Sequence, residues 1–202
     1  LKLSIFPDAL KKLIVTLIPK KSSHKFRQIC IQPVLGKHLE LITDHFIMDA
    51  IFADNRFWFK SQFGFSKQRN IDLALCKIIQ FSKRVIESPD KKCLLLSLDV
   101  EGAFDNIDHN ALIANMRSFT PVPLLTLLGS YLQNRFLYFN HLGSTLIAQQ
   151  CKRVPQGSVL GPRLWNISVD RLSELHLRCS LVLLYADDIF LLYDFFKHQQ
   201  PT

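Results

Sequence analysis

No stretch of this 202-residue chain reaches the ~18 to 20 uninterrupted apolar residues of a membrane-spanning helix, so the sequence predicts no transmembrane span. The start, Leu1-Lys-Leu-Ser-Ile-Phe-Pro7, has no initiator Met and too short an apolar stretch for a secretory leader, which predicts a fragment of a longer polypeptide. Cysteine is sparse and unpatterned. Cys30, Cys76, Cys93, Cys151 and Cys179 are odd in number and lack C-x-x-C spacing, which argues against both a zinc site and a disulfide framework. A reducing, intracellular setting is expected, nucleus and cytoplasm being undistinguished. Internal repeats and low-complexity tracts are missing too, which argues against a solenoid or a disordered linker.

What is present is apolar residue in quantity, 48% of the chain, enough for one globular domain or a domain with a lobe. The net charge of +8 is unevenly placed. Residues 1–92 hold 17 Lys and Arg against 8 Asp and Glu, whereas residues 93–202 hold 8 against 9. The first part attracts polyanions or is a solvated basic surface; the second contains the acids of interest.

Those acids are Asp187 and Asp188, which sit between the apolar runs Leu181–Tyr185 and Ile189–Tyr193 and so fall at the turn of an expected buried hairpin. Desolvated neighbouring carboxylates repel and call for water, cations or metal. Taken alone, the pair reads as a solvated turn, which Asp tolerates well, and only the rest of the chain favours metal. Cys93–Leu98 is a continuous apolar run, expected to be a strand buried on both faces, and it ends in another carboxylate, Asp99. Val154–Pro162 contains two glycines that allow close backbone approach, with Gln156 offering donor and acceptor beside Gly157, or else is a plain turn before a helix.

Along the chain, Leu13–Ile18 predicts a strand leading into a polar loop with Lys20, Lys21, Lys25 and Arg27, cations of the two kinds that hold phosphate oxygens. Apolar spacing predicts helices over 34–53, from the Asn70 N-cap to about Ser88, over 109–118, over 124–133, and from Leu160 to about Leu175. His38 and His45 share a helix face without a third ligand and are taken as structural. The aromatic stretch 55–67, interleaved with Arg56, Lys60 and Lys67, suits either base stacking or a core patch. Residues 136–154 read as loosely β, with a turn at Gly143-Ser144.

Five segments in this order, Leu17-Ile-Pro-Lys20, Gln62-Phe-Gly-Phe65, Leu98-Asp-Val-Glu-Gly-Ala-Phe-Asp-Asn106, Val154-Pro-Gln-Gly-Ser-Val-Leu-Gly-Pro162 and Tyr185-Ala-Asp-Asp188, resemble the reverse transcriptases of non-LTR (LINE-type) retrotransposons. The likeness runs from about Leu13 to Tyr193. It implies an α+β right-hand polymerase, with basic fingers mainly in 1–92 and a ferredoxin-like palm mainly in 93–202, ending before a thumb. It implies RNA-directed DNA synthesis on an RNA template and a DNA primer from dNTPs, without a membrane. By the same likeness Asp99, Asp187 and Asp188 hold two Mg²⁺ ions, or Mn²⁺ in their place. Lys20 and Arg27 meet the triphosphate, Gln156 and Gly157 lie beside the nucleotide, and Phe104 gates the sugar. Lys21, Lys25 and Arg69 are expected on nucleic acid. Arg153 stands where the family usually has Gly before Val-Pro-Gln-Gly, which predicts strain if that turn needs a positive φ. The alternative is a catalytically inactive, nucleic-acid-binding relic of such a domain.

Overall fold

A computed structural model describes residues 4–19, 26–54, 59–150, 153–173 and 179–197. The chain forms two compact units, Leu1–Arg56 with Gly102–Ser168, and Phe57–Glu101 with Val169–Thr202. Each unit takes residues from both sides of position 92, so the charge asymmetry along the sequence does not mark the boundary between them.

The first unit is built on a four-stranded sheet. Strand β1 (Lys12–Pro19) pairs antiparallel with β2 (Phe26–Ile31) and parallel with β4 (Arg135–His141), which forms a hairpin with β5 (Ser144–Gln150). The sheet order is β2-β1-β4-β5. The sequence reading placed Arg27 in a polar loop, whereas it lies on β2 opposite Ile18. Successive side chains of a strand point to opposite faces, so β2 buries Cys30 against Leu13 and Val15 while Arg27, three positions earlier, is exposed, and pairing with β1 satisfies the backbone groups along that edge. Lys20, Lys21 and Lys25 lie outside the described residues.

Three helices belong to this unit in full: α1 (Val34–Ala53), α3 (His109–Met116) and α4 (Val122–Leu132). The Asp108 side chain caps α3 by accepting the Ala111 N–H at 2.7 Å, satisfying a donor that the first helical turn leaves orphaned. Helix α4 buries Leu124, Leu127, Leu128, Tyr131 and Leu132, and the Tyr131 ring meets Phe6 edge-on at 5.1 Å. Helix α5 (Gly161–Val169) is shorter than its apolar pattern suggested, giving way to a 3-10 turn at Asp170–Ser173, and Leu175 lies outside the described residues.

The second unit is a three-stranded antiparallel sheet of order β3-β7-β6, formed by β3 (Lys91–Asp99), β6 (Leu181–Tyr185) and β7 (Asp188–Phe196), with α2 (Ile71–Ile86) packed on it. The Asn70 side chain accepts the Leu73 N–H at 2.9 Å and starts α2 where the sequence predicted. Phe63, Ala74, Leu183 and Leu192 form the core, with Ile78 and Phe81 from α2 against it. The double-sided burial expected of β3 is corrected here. As an edge strand it leaves Leu94, Leu95, Leu96 and Leu98 more than 40% exposed, because a strand at a sheet margin has one lateral neighbour.

Candidate active site

The β6–β7 hairpin turns at Ala186-Asp187, and its register places Asp188 opposite Tyr185 on one side and opposite Asp99 of β3 on the other. Directly opposed residues of antiparallel strands project to the same face with their Cβ atoms ~5 Å apart. Asp99 and Asp188 are therefore neighbours by register. Asp187 is tied to the same strand end, its carbonyl accepting the Val100 N–H at 3.3 Å.

The expectation that these acids are buried is corrected: Asp99 and Asp187 are exposed and Asp188 is half-buried, because the three stand at the open end of the sheet rather than within it. Partial desolvation, followed by the charges of Asp187 and Asp99, holds the Asp188 carboxyl above the usual carboxylate range. Among the described residues, no Lys or Arg forms an ion pair with any of the three. Nor do any three His, Cys, Asp or Glu side chains among them close into a preformed metal cage. The donor chemistry nevertheless fits Mg²⁺, which takes hard oxygens and uses one or two protein carboxylates, with water and substrate phosphates completing its shell.

The turn is braced from within its own unit. Gln62, only 1% exposed, directs its side-chain amide at Ala186: Oε1 accepts the Ala186 N–H at 3.1 Å, and Nε2 donates to the Ala186 carbonyl at 3.2 Å. The same Oε1 accepts the Gly64 N–H at 2.8 Å. On either side, the Phe63 N–H donates to the Leu184 carbonyl and the Leu184 N–H to the Ser61 carbonyl, both at 2.7 Å. A Cβ on Gly64 would fall 2.1 Å from the Ala186 nitrogen, so only glycine permits this approach.

Arg69, expected on nucleic acid, has a different occupation. Its Nη1 donates to the carbonyls of Phe59, Lys60 and Gln62, and its guanidinium lies 5.2 Å from the Phe63 ring centroid, so it binds the bracing segment to the start of α2. Phe59 and Phe63 are buried, which decides their part of the aromatic stretch in favour of a core patch; residues 55–58 lie outside the described residues.

The other unit gathers the remaining described candidates. The carbonyl of Gln156 accepts the Cys30 N–H at 2.8 Å, which places the Gln156-Gly157 loop against β2, the strand that carries Arg27. Gly157 adopts φ 107°, and a Cβ there would come within 2.9 Å of the Cys30 carbonyl oxygen. Its close approach is thus to this strand's backbone. The carbonyl of Phe104 accepts the Val154 N–H at 3.0 Å, and the Phe104 ring lies 6.2 Å from that of Trp165, at the start of the same loop. Arg153 has φ 82°, the strained conformation anticipated for that position.

Sequence reasoning missed the support of this loop. Glu40, fully buried on α1, accepts the N–H groups of Val159 and Leu160 at 2.6 and 3.2 Å and the Ser158 hydroxyl at 3.1 Å. The Ser158 and Tyr131 hydroxyls lie 2.8 Å apart, and burial pushes the Tyr131 phenol up. A charged residue at a position of α1 otherwise lined by Gly36, Thr43 and Ile47 was the available signal.

Residues 18–200 match the family model described as Reverse transcriptase (RNA-dependent DNA polymerase). The probable RNA-directed DNA polymerase from transposon BS of Drosophila melanogaster is 30% identical over 207 residues, covering 96% of this chain. The RNA-directed DNA polymerase from mobile element jockey of the same organism is 28% identical over 203 residues and 93% of this chain. The chain spans 22% of the length of each of these relatives. Apo telomerase from Candida tropicalis shares the fold with a TM-score of 0.67 at 12% identity, over 92% of this chain and 40% of that one.

Proposed function

The chain belongs to the reverse transcriptase (RNA-dependent DNA polymerase) family, in its non-LTR retrotransposon branch, and from that premise we propose that it extends a DNA primer with dNTPs on an RNA template at the Asp99, Asp187 and Asp188 carboxylates. The observation that carries this reading is the register pairing of Asp99 with Asp188 beside Asp187, a cluster in which partial burial first, and then the charges of Asp187 and Asp99, makes Asp188 hold its proton more tightly. Two Mg²⁺ ions bound there would lower the pKa of the primer 3′-hydroxyl and neutralise the triphosphate and the leaving pyrophosphate.

The chain's own residues supply the rest. The three carboxylates offer hard oxygens at a strand end that water and phosphate can reach. Arg27, exposed on β2, presents a bidentate fork suited to triphosphate oxygens, and Lys20, Lys21 and Lys25 add positive charge next to it in sequence. Gln156, anchored by its backbone to β2, keeps its side-chain amide for the incoming nucleotide. Phe104 is assigned to the sugar edge, where an aromatic ring leaves no room for a 2′-hydroxyl, the group that separates RNA from DNA precursors.

The test is Mg²⁺-dependent incorporation of one dNTP on an RNA template and DNA primer by a purified polypeptide containing this chain. Asp99→Asn and Asp187→Asn should each abolish it while leaving template binding intact. Undiminished incorporation by both variants would overturn the assignment, and wild-type binding without incorporation would leave an inactive nucleic-acid-binding domain.

A further inference from the structure

We propose that Gln62 is a positioning residue for the metal carboxylates, holding the Ala186-Asp187 turn in its catalytic shape from a segment outside the hairpin. The inference rests on the reading that Asp187 and Asp188 hold the metals. Ala186 sits at φ 55°, a left-handed conformation in which the Cβ of an L-residue crowds the neighbouring carbonyl. A turn containing a strained alanine beside two repelling carboxylates will relax unless something external holds it. Gln62 does so in the manner of a strand partner, pairing with both the N–H and the carbonyl of Ala186.

The hydrogen bonds also settle which end of the amide is which. Oε1 faces two N–H donors, those of Gly64 and Ala186, and Nε2 faces a carbonyl; the reversed amide would oppose an NH₂ to two donors and an oxygen to an acceptor. All three contacts are therefore made only by a side chain of this length bearing both a donor and an acceptor. Gly64 completes the device by bringing the bracing backbone closer than any side chain would allow. Arg69 and Asp170 hold the brace itself, Arg69 through the Phe59, Lys60 and Gln62 carbonyls and Asp170 by accepting the Phe59 N–H at 2.7 Å. Gln62 touches no substrate; it acts through the position of Asp187.

Two substitutions test this in a purified polypeptide containing this chain. Gln62→Met keeps the volume and removes all three side-chain hydrogen bonds. Gln62→Glu keeps the two acceptor contacts and sets an oxygen against the Ala186 carbonyl. Displacing the carboxylates should lower kcat for single-nucleotide addition by roughly 10- to 100-fold, the scale of a 1 Å misplacement. The Mg²⁺ concentration for half-maximal rate should rise, while the KM for dNTP and the affinity for template-primer stay near wild type. The Ala186 amide should exchange faster with solvent in Gln62→Met. A general loss of fold would instead lower binding and rate together.

If Gln62→Met does not fold, Gln62→Glu decides. Wild-type kcat and Mg²⁺ dependence in a folded variant would overturn the inference while leaving the polymerase reading standing. A parent protein that neither extends a primer nor binds Mn²⁺, whatever its residue at position 62, would overturn the reading and this inference with it.

Discussion

The Glu40 carboxylate accepts the backbone N–H of Val159 at 2.6 Å, across 119 positions of sequence, and so ties the buried face of α1 to the loop that carries Gln156 and Gly157. The carboxylate also receives the Leu160 N–H and the Ser158 hydroxyl, so three donors converge on one side chain. Glu40→Ala strands the Val159 and Leu160 N–H groups, the Ser158 hydroxyl keeping Tyr131 as a partner, and leaves a cavity. A loss of roughly 2 to 4 kcal/mol in urea unfolding is expected, from buried groups left unpaired. An undiminished midpoint would show that water replaces the carboxylate.

Asp188 gives a pH dependence of unusual sign. Its folded-state pKa lies above the ordinary carboxylate value, first through burial and then through Asp187 and Asp99. The stability it contributes is therefore fully present below the unfolded pKa and is lost as pH rises through the higher folded one. Asp188→Asn should match wild type in acid and exceed it in melting temperature at neutral pH, with added Mg²⁺ narrowing the gap. Equal melting temperatures at neutral pH without metal would refute the repulsion argued here.

Asp194 behaves in the opposite way. The Lys91 ammonium 2.6 Å away and the Ser180 hydroxyl hold its carboxyl below the usual range, and the pair joins the opposite end of β3 to β7. That contribution is present above the unfolded pKa and is lost as pH falls through the depressed folded value. Both side chains are about a quarter to a third exposed, so solvent screening limits it to roughly 1 kcal/mol or less. Asp194→Asn should accordingly be slightly less stable than wild type at neutral pH and indistinguishable from it in strong acid, by thermal melts across that range.

Arg153→Gly should stabilise the fold. The residue has φ 82°, and its contact with Asp105 at 3.7 Å is half-exposed and worth little. Removing the Cβ from a left-handed position recovers about 1 kcal/mol, part of it offset by the larger entropy of glycine in the unfolded chain. A lower unfolding midpoint for the glycine variant would mean that the arginine side chain contributes more than its geometry indicates.

The family and the order of its elements were legible because the informative features are local. Tyr185-Ala-Asp-Asp188 between two apolar runs is a hairpin by pattern alone, and Asn70 before the Ala74, Ile78, Phe81 and Val85 stripe is a helix start by the chemistry of its cap. The register that sets Asp99 opposite Asp188 was not legible, because a strand's pairing is chosen by packing across the sheet rather than by its own residues. For the same reason the leucines of β3 were misjudged: an apolar run looks alike in the centre of a sheet and at its margin. Gln62 and Glu40 lie far in sequence from the backbone groups they satisfy, and a polar residue in a sequence does not say which donor it will meet. The chain's local chemistry determined which acids could act and on which elements they lie. Only the tertiary structure decided that a buried glutamine, 124 positions from the turn it grips, keeps Ala186 in its left-handed conformation, because a strained turn persists only where surrounding contacts hold it.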